Sequence, residues 1–313
     1  MNSFAGMFFL MGAFTLAGTS VIAGRFVSEA LGTFTIAAVS LFFALLGLLP
    51  LCGRRLSETV RGMSKNDWWQ SLIQAVFGIF LFRIFLLQGL IRTSAGEAGI
   101  LTGATPAATV LLAGLFLKEP LDRVRLLGIV STITGILVLQ GVFSPDIEFS
   151  REHLVGNLLV LCAALCESLF NIFSRISSIK AALNTSQALE PIVQTTLVVW
   201  IALLLCLGPA LFERPVASLM SLGITGWAAL VWYGLFVTAV AFILWYAGIK
   251  RCDASVAAAF SGMMPFTALI LSILLLNEQS GWQQWLGGVM VVLGMLLTGL
   301  NLSGQMQAAE GKS

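Results

Sequence analysis

Charge is what this sequence lacks most. Asp, Glu, Lys and Arg make up 10% of its 313 residues, where a soluble domain carries about 25%. So few charges cannot coat a water-facing surface of that size, and the mean hydropathy of +0.95 agrees. Histidine occurs once, at His153, and the five cysteines (Cys52, Cys162, Cys166, Cys206, Cys252) are odd in number and scattered. That pattern argues against a disulfide framework. Cys162 and Cys166 share a helix face, either as small packing residues or as half of a metal pair that lacks partners. A net charge of +2 gives no basic field for nucleic acid. There is no G-x-x-x-x-G-K-[ST] run and no nucleophile triad. ATP-driven work by this chain alone, cofactor chemistry and enzymatic catalysis all lack a visible basis.

Long apolar runs are what the chain has in abundance. A bilayer-crossing helix needs ~20 apolar residues. Ten spans are predicted, at about 4–24, 32–51, 68–91, 95–117, 123–143, 154–178, 184–208, 222–249, 254–277 and 282–302. No basic segment precedes the first run, so it reads as a retained helix and not a cleaved signal. Residues 303–313 read as a polar, disordered tail. With both termini in the cytoplasm, twelve Lys and Arg residues fall on the cytoplasmic side and four (Arg25, Arg92, Arg151, Arg214) on the other, with Arg83 inside a span. The positive-inside rule favours that orientation. Trp68, Trp69, Trp227, Trp232, Trp282 and Trp285 fall near span ends, where indoles anchor at the interface.

The chain also repeats itself. Gly89, Arg92, Ala95, Ala98, Gly103, Pro106, Leu117, Glu119, Gly128 and Gly135 recur 159 residues later as Gly248, Arg251, Ala254, Ala257, Gly262, Pro265, Leu276, Glu278, Gly287 and Gly294. Five spans per copy is an odd number, so the second copy is inverted relative to the first. Inverted repeats of this kind build secondary transporters with a midplane substrate site. The loop after the fourth span is basic (Lys118, Arg123), while its counterpart after the ninth (Asn277 to Trp282) is not. That is the bias expected if the two loops face opposite sides.

The stretch AGILTGATPAATVLLAGLFLKEPL and its second copy ASVAAAFSGMMPFTALILSILLLNEQ resemble the repeat of the drug/metabolite transporter superfamily, EamA type. The shared features are a small-residue helix start, a mid-helix proline, a glutamate thirteen residues later and a Gly-rich following helix. The resemblance implies ten helices around a central cavity, lined mainly by helices 1, 3, 4, 6, 8 and 9. It also implies transport of amino acids, other metabolites or drugs. Arg83, Glu167 and Glu190 sit on no shared repeat position, so the resemblance gives them no role.

Intramembrane polar groups should face a cavity or a partner, because a central charge costs roughly 2.5–3.5 kcal/mol. Glu167, Asn171, Ser174 and Ser178 share one face of the sixth span. Glu167 lies roughly 20 Å from the outer end. It either binds a substrate ammonium or carries a proton, or it makes a structural pair. Arg83, about 12 Å from the outer end of the third span, either grips a carboxylate or phosphate with its planar fork or pairs with Glu167. Glu190, about 9 Å from the cytoplasmic end of the seventh span, is a gate or proton-entry residue or a solvated helix-start carboxylate. Thr102 and Thr105 beside Pro106, and Thr15 and Thr19 in the first span, are substrate-facing hydroxyls or packing seams. Thr238, Phe242 and Trp245 form a face of the eighth span suited to an apolar or cationic substrate, or to packing. Pro106 and Pro265, equivalent in the two copies, are hinges or static bends. Arg25 with Glu29, and Arg92 with Glu97, are expected as surface pairs.

The sequence thus predicts an all-α membrane protein of ten transmembrane helices. Residues 1–144 and 145–302 are two inverted five-helix repeats around a cavity. It is expected in the inner (plasma) membrane, with the bilayer and a small-molecule substrate as partners, no metal, and a homodimer left open. The predicted activity is export of amino acids or related metabolites by alternating access. The alternatives are export of hydrophobic cationic drugs, or a non-transport membrane subunit.

Overall fold

The computed structural model describes residues 3–116, 123–139, 151–183, 191–249, 260 and 263–310; side chains 3, 54, 174–183, 191, 246, 249 and 299–310 fall outside that description. Helix is the only regular structure among these residues. Among the described residues, seven helices are long and apolar enough to cross a membrane: Phe4–Ser28, Thr33–Cys52, Lys65–Leu90, Ala95–Phe116, Arg151–Phe173, Ile192–Phe212 and Ile224–Trp245. The segments expected as spans 5, 9 and 10 are helical as Arg123–Leu139, Met263–Leu276 and Trp282–Glu310. The last helix carries through most of the stretch read as a disordered tail. Gln305, Met306, Gln307, Ala308 and Ala309 are good helix formers, and no proline interrupts them.

Several long helices are broken inside. The first reads α1 (Ser3–Gly18) and α2 (Ser20–Ser28). It is followed by α3 (Thr33–Cys52) and the short α4 (Arg54–Gly62). The third span is α5 (Lys65–Ala75), a π-helical segment Val76–Leu81, and α6 (Phe82–Leu90). The fourth is α7 (Ala95–Thr102) and α8 (Thr105–Phe116), parted at Gly103–Ala104. Then come α9 (Arg123–Leu139), α10 (Arg151–Leu183), α11 (Pro191–Phe212) and the short α12 (Pro215–Met220). The eighth span is α13 (Ile224–Val231), a π-helical segment Trp232–Val240, and α14 (Ala241–Ile249). The chain ends with α15 (Met263–Leu276) and α16 (Trp282–Glu310). The order recurs: the short α4 answers to α12, and the π-helical segment of the third span to that of the eighth, at the 159-residue offset of the sequence repeat.

The outside of the bundle is apolar. On α9, Leu126, Leu127, Val130, Ile133 and Leu137 are exposed, while Gly128, Thr132 and Gly135 face inward. A water-facing helix would show the opposite pattern; this one suits lipid. The inner faces of α9 and α16 cross in opposite directions through paired glycines. A Cβ on Gly294 would lie 2.6 Å from the Gly128 carbonyl oxygen, and one on Gly135 would lie 2.7 Å from that of Gly287. No larger residue fits such an approach. These glycine seams are therefore used within the chain.

Candidate functional site

Pro106 has no N–H, so the Thr102 carbonyl loses its helical donor. The Thr105 hydroxyl lies 2.9 Å from that carbonyl oxygen and also 2.9 Å from Glu167 Oε2 on α10. The Ser168 hydroxyl lies 2.9 Å from the Thr105 carbonyl oxygen and 2.8 Å from that of Ala164, so its one hydrogen is shared between the broken helix and α10. Glu167 is half-buried and forms no ion pair among the described residues. Asn171, one turn further, is exposed. Thr102 is buried and donates to Gly99. Ser174 lies in α10, but its side chain lies outside the described residues, as does all of Glu190.

Arg83 follows the first π-helical segment and is buried. The alternative that it pairs with Glu167 is not what the structure contains. Its guanidinium donates to Ser40 Oγ of α3 and, at 2.7 Å, to Thr238 Oγ1 of the second π-helical segment. Its Cζ sits 4.4 Å from the ring centroid of Tyr233. Sequence reading missed Ser40 and Tyr233, which lie outside the polar stripes; a hydroxyl beside a π-helical turn gives no periodic signal.

The remaining expected residues are dispersed. Thr19 sits at the break between α1 and α2, donating to Leu16 O at 2.6 Å and accepting from Trp232 Nε1 at 2.8 Å. Thr15 and Trp245 are half-buried. Pro265 is buried and faces a small apolar hollow lined by Ile100, Leu269, Trp285 and Val292. No group of three or more metal-ligating side chains occurs among the described residues.

One end of the bundle carries a second polar assembly. Glu213 follows α11, and its carboxylate accepts from the N–H groups of Phe34 and Thr35 at 3.1 and 2.8 Å, capping α3. Glu278 follows α15 and accepts from Ala95 and Gly96 N–H at 2.8 and 2.9 Å, capping α7. Each carboxylate adjoins a residue with positive φ, Arg214 (54°) or Asn277 (53°), that turns the chain sharply. A carboxylate at a helix start is favoured by the exposed N–H groups and the dipole. Between these caps, Gln88 donates to Thr33 at 2.8 Å. Arg25 pairs with Glu29 at 3.4 Å as expected. Arg92 does not pair with Glu97; it donates to Gln88. Ser94 caps α7 between them, so Arg92 precedes the helix while Glu97 turns inward. Glu97 is buried and accepts from His153 at 2.6 Å, Asn157 at 3.2 Å and Gln284 at 3.2 Å. The starts of α7, α10 and α16 are thereby tied together.

Comparisons with known proteins agree with this architecture. The model of the EamA-like transporter family matches residues 4–140 and again 154–300. The chain is 29% identical over 292 residues to the uncharacterized transporter YetK of Bacillus subtilis, covering 92% of this chain and 85% of that protein. It is 26% identical to an uncharacterized transporter of Synechocystis, covering 92% and 88%. It is also 26% identical to a chloroplastic WAT1-related protein of Arabidopsis thaliana, covering 92% and 68%. A solved crystal structure shares the fold at TM-score 0.58 and 19% identity, covering 96% of this chain and 98% of its own. Two family matches on a bundle of apolar helices make this chain a multi-pass membrane protein belonging to the EamA-like transporter family.

Proposed function

We propose that the protein is a secondary transporter that exports amino acids or related small metabolites across the inner membrane, coupled to protons through Glu167. Residues 1–144 and 145–302 act as two inverted halves of five spans each, with both termini cytoplasmic, and rock between inward-open and outward-open states. The charge bias, the recurrence of elements at 159 residues and the antiparallel glycine crossing support this arrangement.

The observation that carries the reading is the Glu167–Thr105 contact at the break of the fourth span. A carboxylate partly exposed within a membrane span belongs against water and not lipid, since lipid exposure costs roughly 2.5–3.5 kcal/mol. The Thr105 hydroxyl has one hydrogen and two acceptors beside it. If Glu167 is protonated it donates to Thr105, and Thr105 donates to the Thr102 carbonyl, satisfying all three groups. If Glu167 is ionised, Thr105 turns to the carboxylate and the Thr102 carbonyl is left bare. Proton loss thus loosens the helix at Pro106, which with Pro265 serves as the hinge. Asn171 and Arg83 face the substrate. Glu190 admits protons from the cytoplasmic side. The collar of Glu213, Glu278 and Glu97 is the closed outer gate.

The test is amino-acid flux in proteoliposomes with and without a pH gradient. Wild type should respond to the gradient, and Glu167→Gln should transport without responding. A Glu167→Gln variant with the wild-type pH response would refute proton coupling through this residue.

A further inference from the structure

Arg83 is 5% exposed and forms no ion pair among the described residues. Its partners are neutral: Ser40 Oγ, Thr238 Oγ1 and the Tyr233 ring. Ser40 spends its own hydrogen on the Ile36 carbonyl at 2.7 Å, and Thr238 on the Tyr233 carbonyl at 2.9 Å. Both hydroxyls therefore present only lone pairs to the guanidinium, which fixes its orientation without neutralising its charge. Beside it, the Tyr233 hydroxyl is buried and has no hydrogen-bond partner. A buried cation without an anion, next to a buried donor without an acceptor, is costly to keep for structure alone.

The fold does not require this pair. The residues that correspond to Arg83 and Tyr233 in the other half are Phe242 and Gln74. Gln74 accepts from Gln194 at 2.7 Å, an ordinary side-chain bond. The pair is also placed by irregular backbone: Arg83 lies two residues past the end of one π-helical segment, and Tyr233 and Thr238 lie in the other. Such turns re-aim side chains and recur at functional sites.

We infer that Arg83 and Tyr233 form a binding site for the carboxylate of the transported molecule, with the Tyr233 hydroxyl as a specificity-determining donor. The inference rests on the transport reading, because access to so buried a spot needs the spans to part. A guanidinium carries five N–H donors, of which Ser40 and Thr238 take two. Three N–H groups and the tyrosine O–H remain. A carboxylate supplies two oxygens with about four lone-pair sites, matching that set. Its single negative charge cancels the single positive charge. A phosphate dianion would leave net negative charge in an apolar setting, which is why the site is assigned to a carboxylate.

The test uses the purified full chain in detergent, with a panel of L-amino acids, each beside its carboxamide, and inorganic phosphate. Ligand-induced shifts of melting temperature are read for wild type, Tyr233→Phe, Arg83→Lys and Arg83→Met, and the same proteins are assayed for flux in proteoliposomes. The amino acids that bind wild type should lose the effect as amides, and phosphate should have none. Tyr233→Phe should melt no lower than wild type, since it removes an unpartnered hydroxyl, yet bind at least tenfold more weakly. Arg83→Lys should keep the fold and lose at least tenfold in affinity, and Arg83→Met should not bind. Amides binding as well as acids, phosphate binding best, or undiminished binding by Tyr233→Phe would overturn the inference. If wild type carries amino-acid flux but Tyr233→Phe and Arg83→Lys carry it unchanged, the carboxylate site fails and the transport reading stands. If wild type shows neither flux nor a melting shift with any amino acid, the amino-acid reading fails and takes the site with it.

Discussion

The Thr105 hydroxyl stands 2.9 Å from the Glu167 carboxylate of α10 and 2.9 Å from the Thr102 carbonyl that Pro106 leaves without a donor. One hydrogen serves two acceptors, and in the proposed proton coupling the charge on Glu167 sets which of them receives it.

That sharing predicts three separable phenotypes. Thr105→Val keeps the volume and removes the hydrogen, so flux should lose its pH dependence as in Glu167→Gln, while Thr105→Ser should retain it. Pro106→Ala offers an N–H to the Thr102 carbonyl across the break between α7 and α8, so the protein should melt higher by the worth of one hydrogen bond, about 0.5–1.5 kcal/mol, and transport more slowly. Thr105→Val with wild-type pH response, or Pro106→Ala with unchanged melting and flux, would contradict the hinge.

Glu278 should matter more than its place in a loop suggests. Its carboxylate accepts from the Ala95 and Gly96 N–H groups, and hydrogen bonds to charged groups contribute about 1.5–3 kcal/mol each. Glu278→Ala should lower the melting temperature in detergent and make substrate leak from loaded vesicles, while the exposed Glu58→Ala should do neither. Equal melting of the two variants would remove the cap from the account.

The glycine crossing predicts a steric effect. A Cβ on Gly294 would lie 2.1 Å from Thr132 Oγ1, and overpacking of this kind costs about 1–3 kcal/mol or more. Gly294→Val should reduce the yield of folded protein, and Thr132→Ala should recover part of it by vacating the space. At Gly208 a Cβ would meet nothing, so Gly208→Ala should be silent. Melting curves of the four proteins decide the matter.

Hydropathy and the 159-residue repeat made the apolar helical architecture and the family legible in the sequence, because each depends on local composition or periodicity. Periodicity identifies a face but not what stands opposite it. Ser40 and Thr238 reach Arg83 across 43 and 155 residues, and Glu213 caps a helix start 178 residues away. Those neighbours are set by packing, which no single stripe encodes. The Arg92–Glu97 expectation failed for a local reason. The Ser94 cap lies between the two residues, and Glu97 has His153, Asn157 and Gln284 waiting on the inside. The π-helical turns leave no compositional trace either: VFGIFL and WYGLFVTAV read as ordinary apolar helix.

Alternating access as proposed needs the two halves to run in opposite directions across the bilayer, and side-specific labelling tests that most directly. Ser64, just before α5, and Ser221, just after α12, are exposed and fall at nearly corresponding points of the two halves. In a cysteine-free background, Ser64→Cys and Ser221→Cys would be treated in intact cells with a membrane-impermeant maleimide. Labelling of Ser221→Cys alone, with Ser64→Cys reacting only after the cells are opened, is the predicted result; labelling of both from the same side would contradict it.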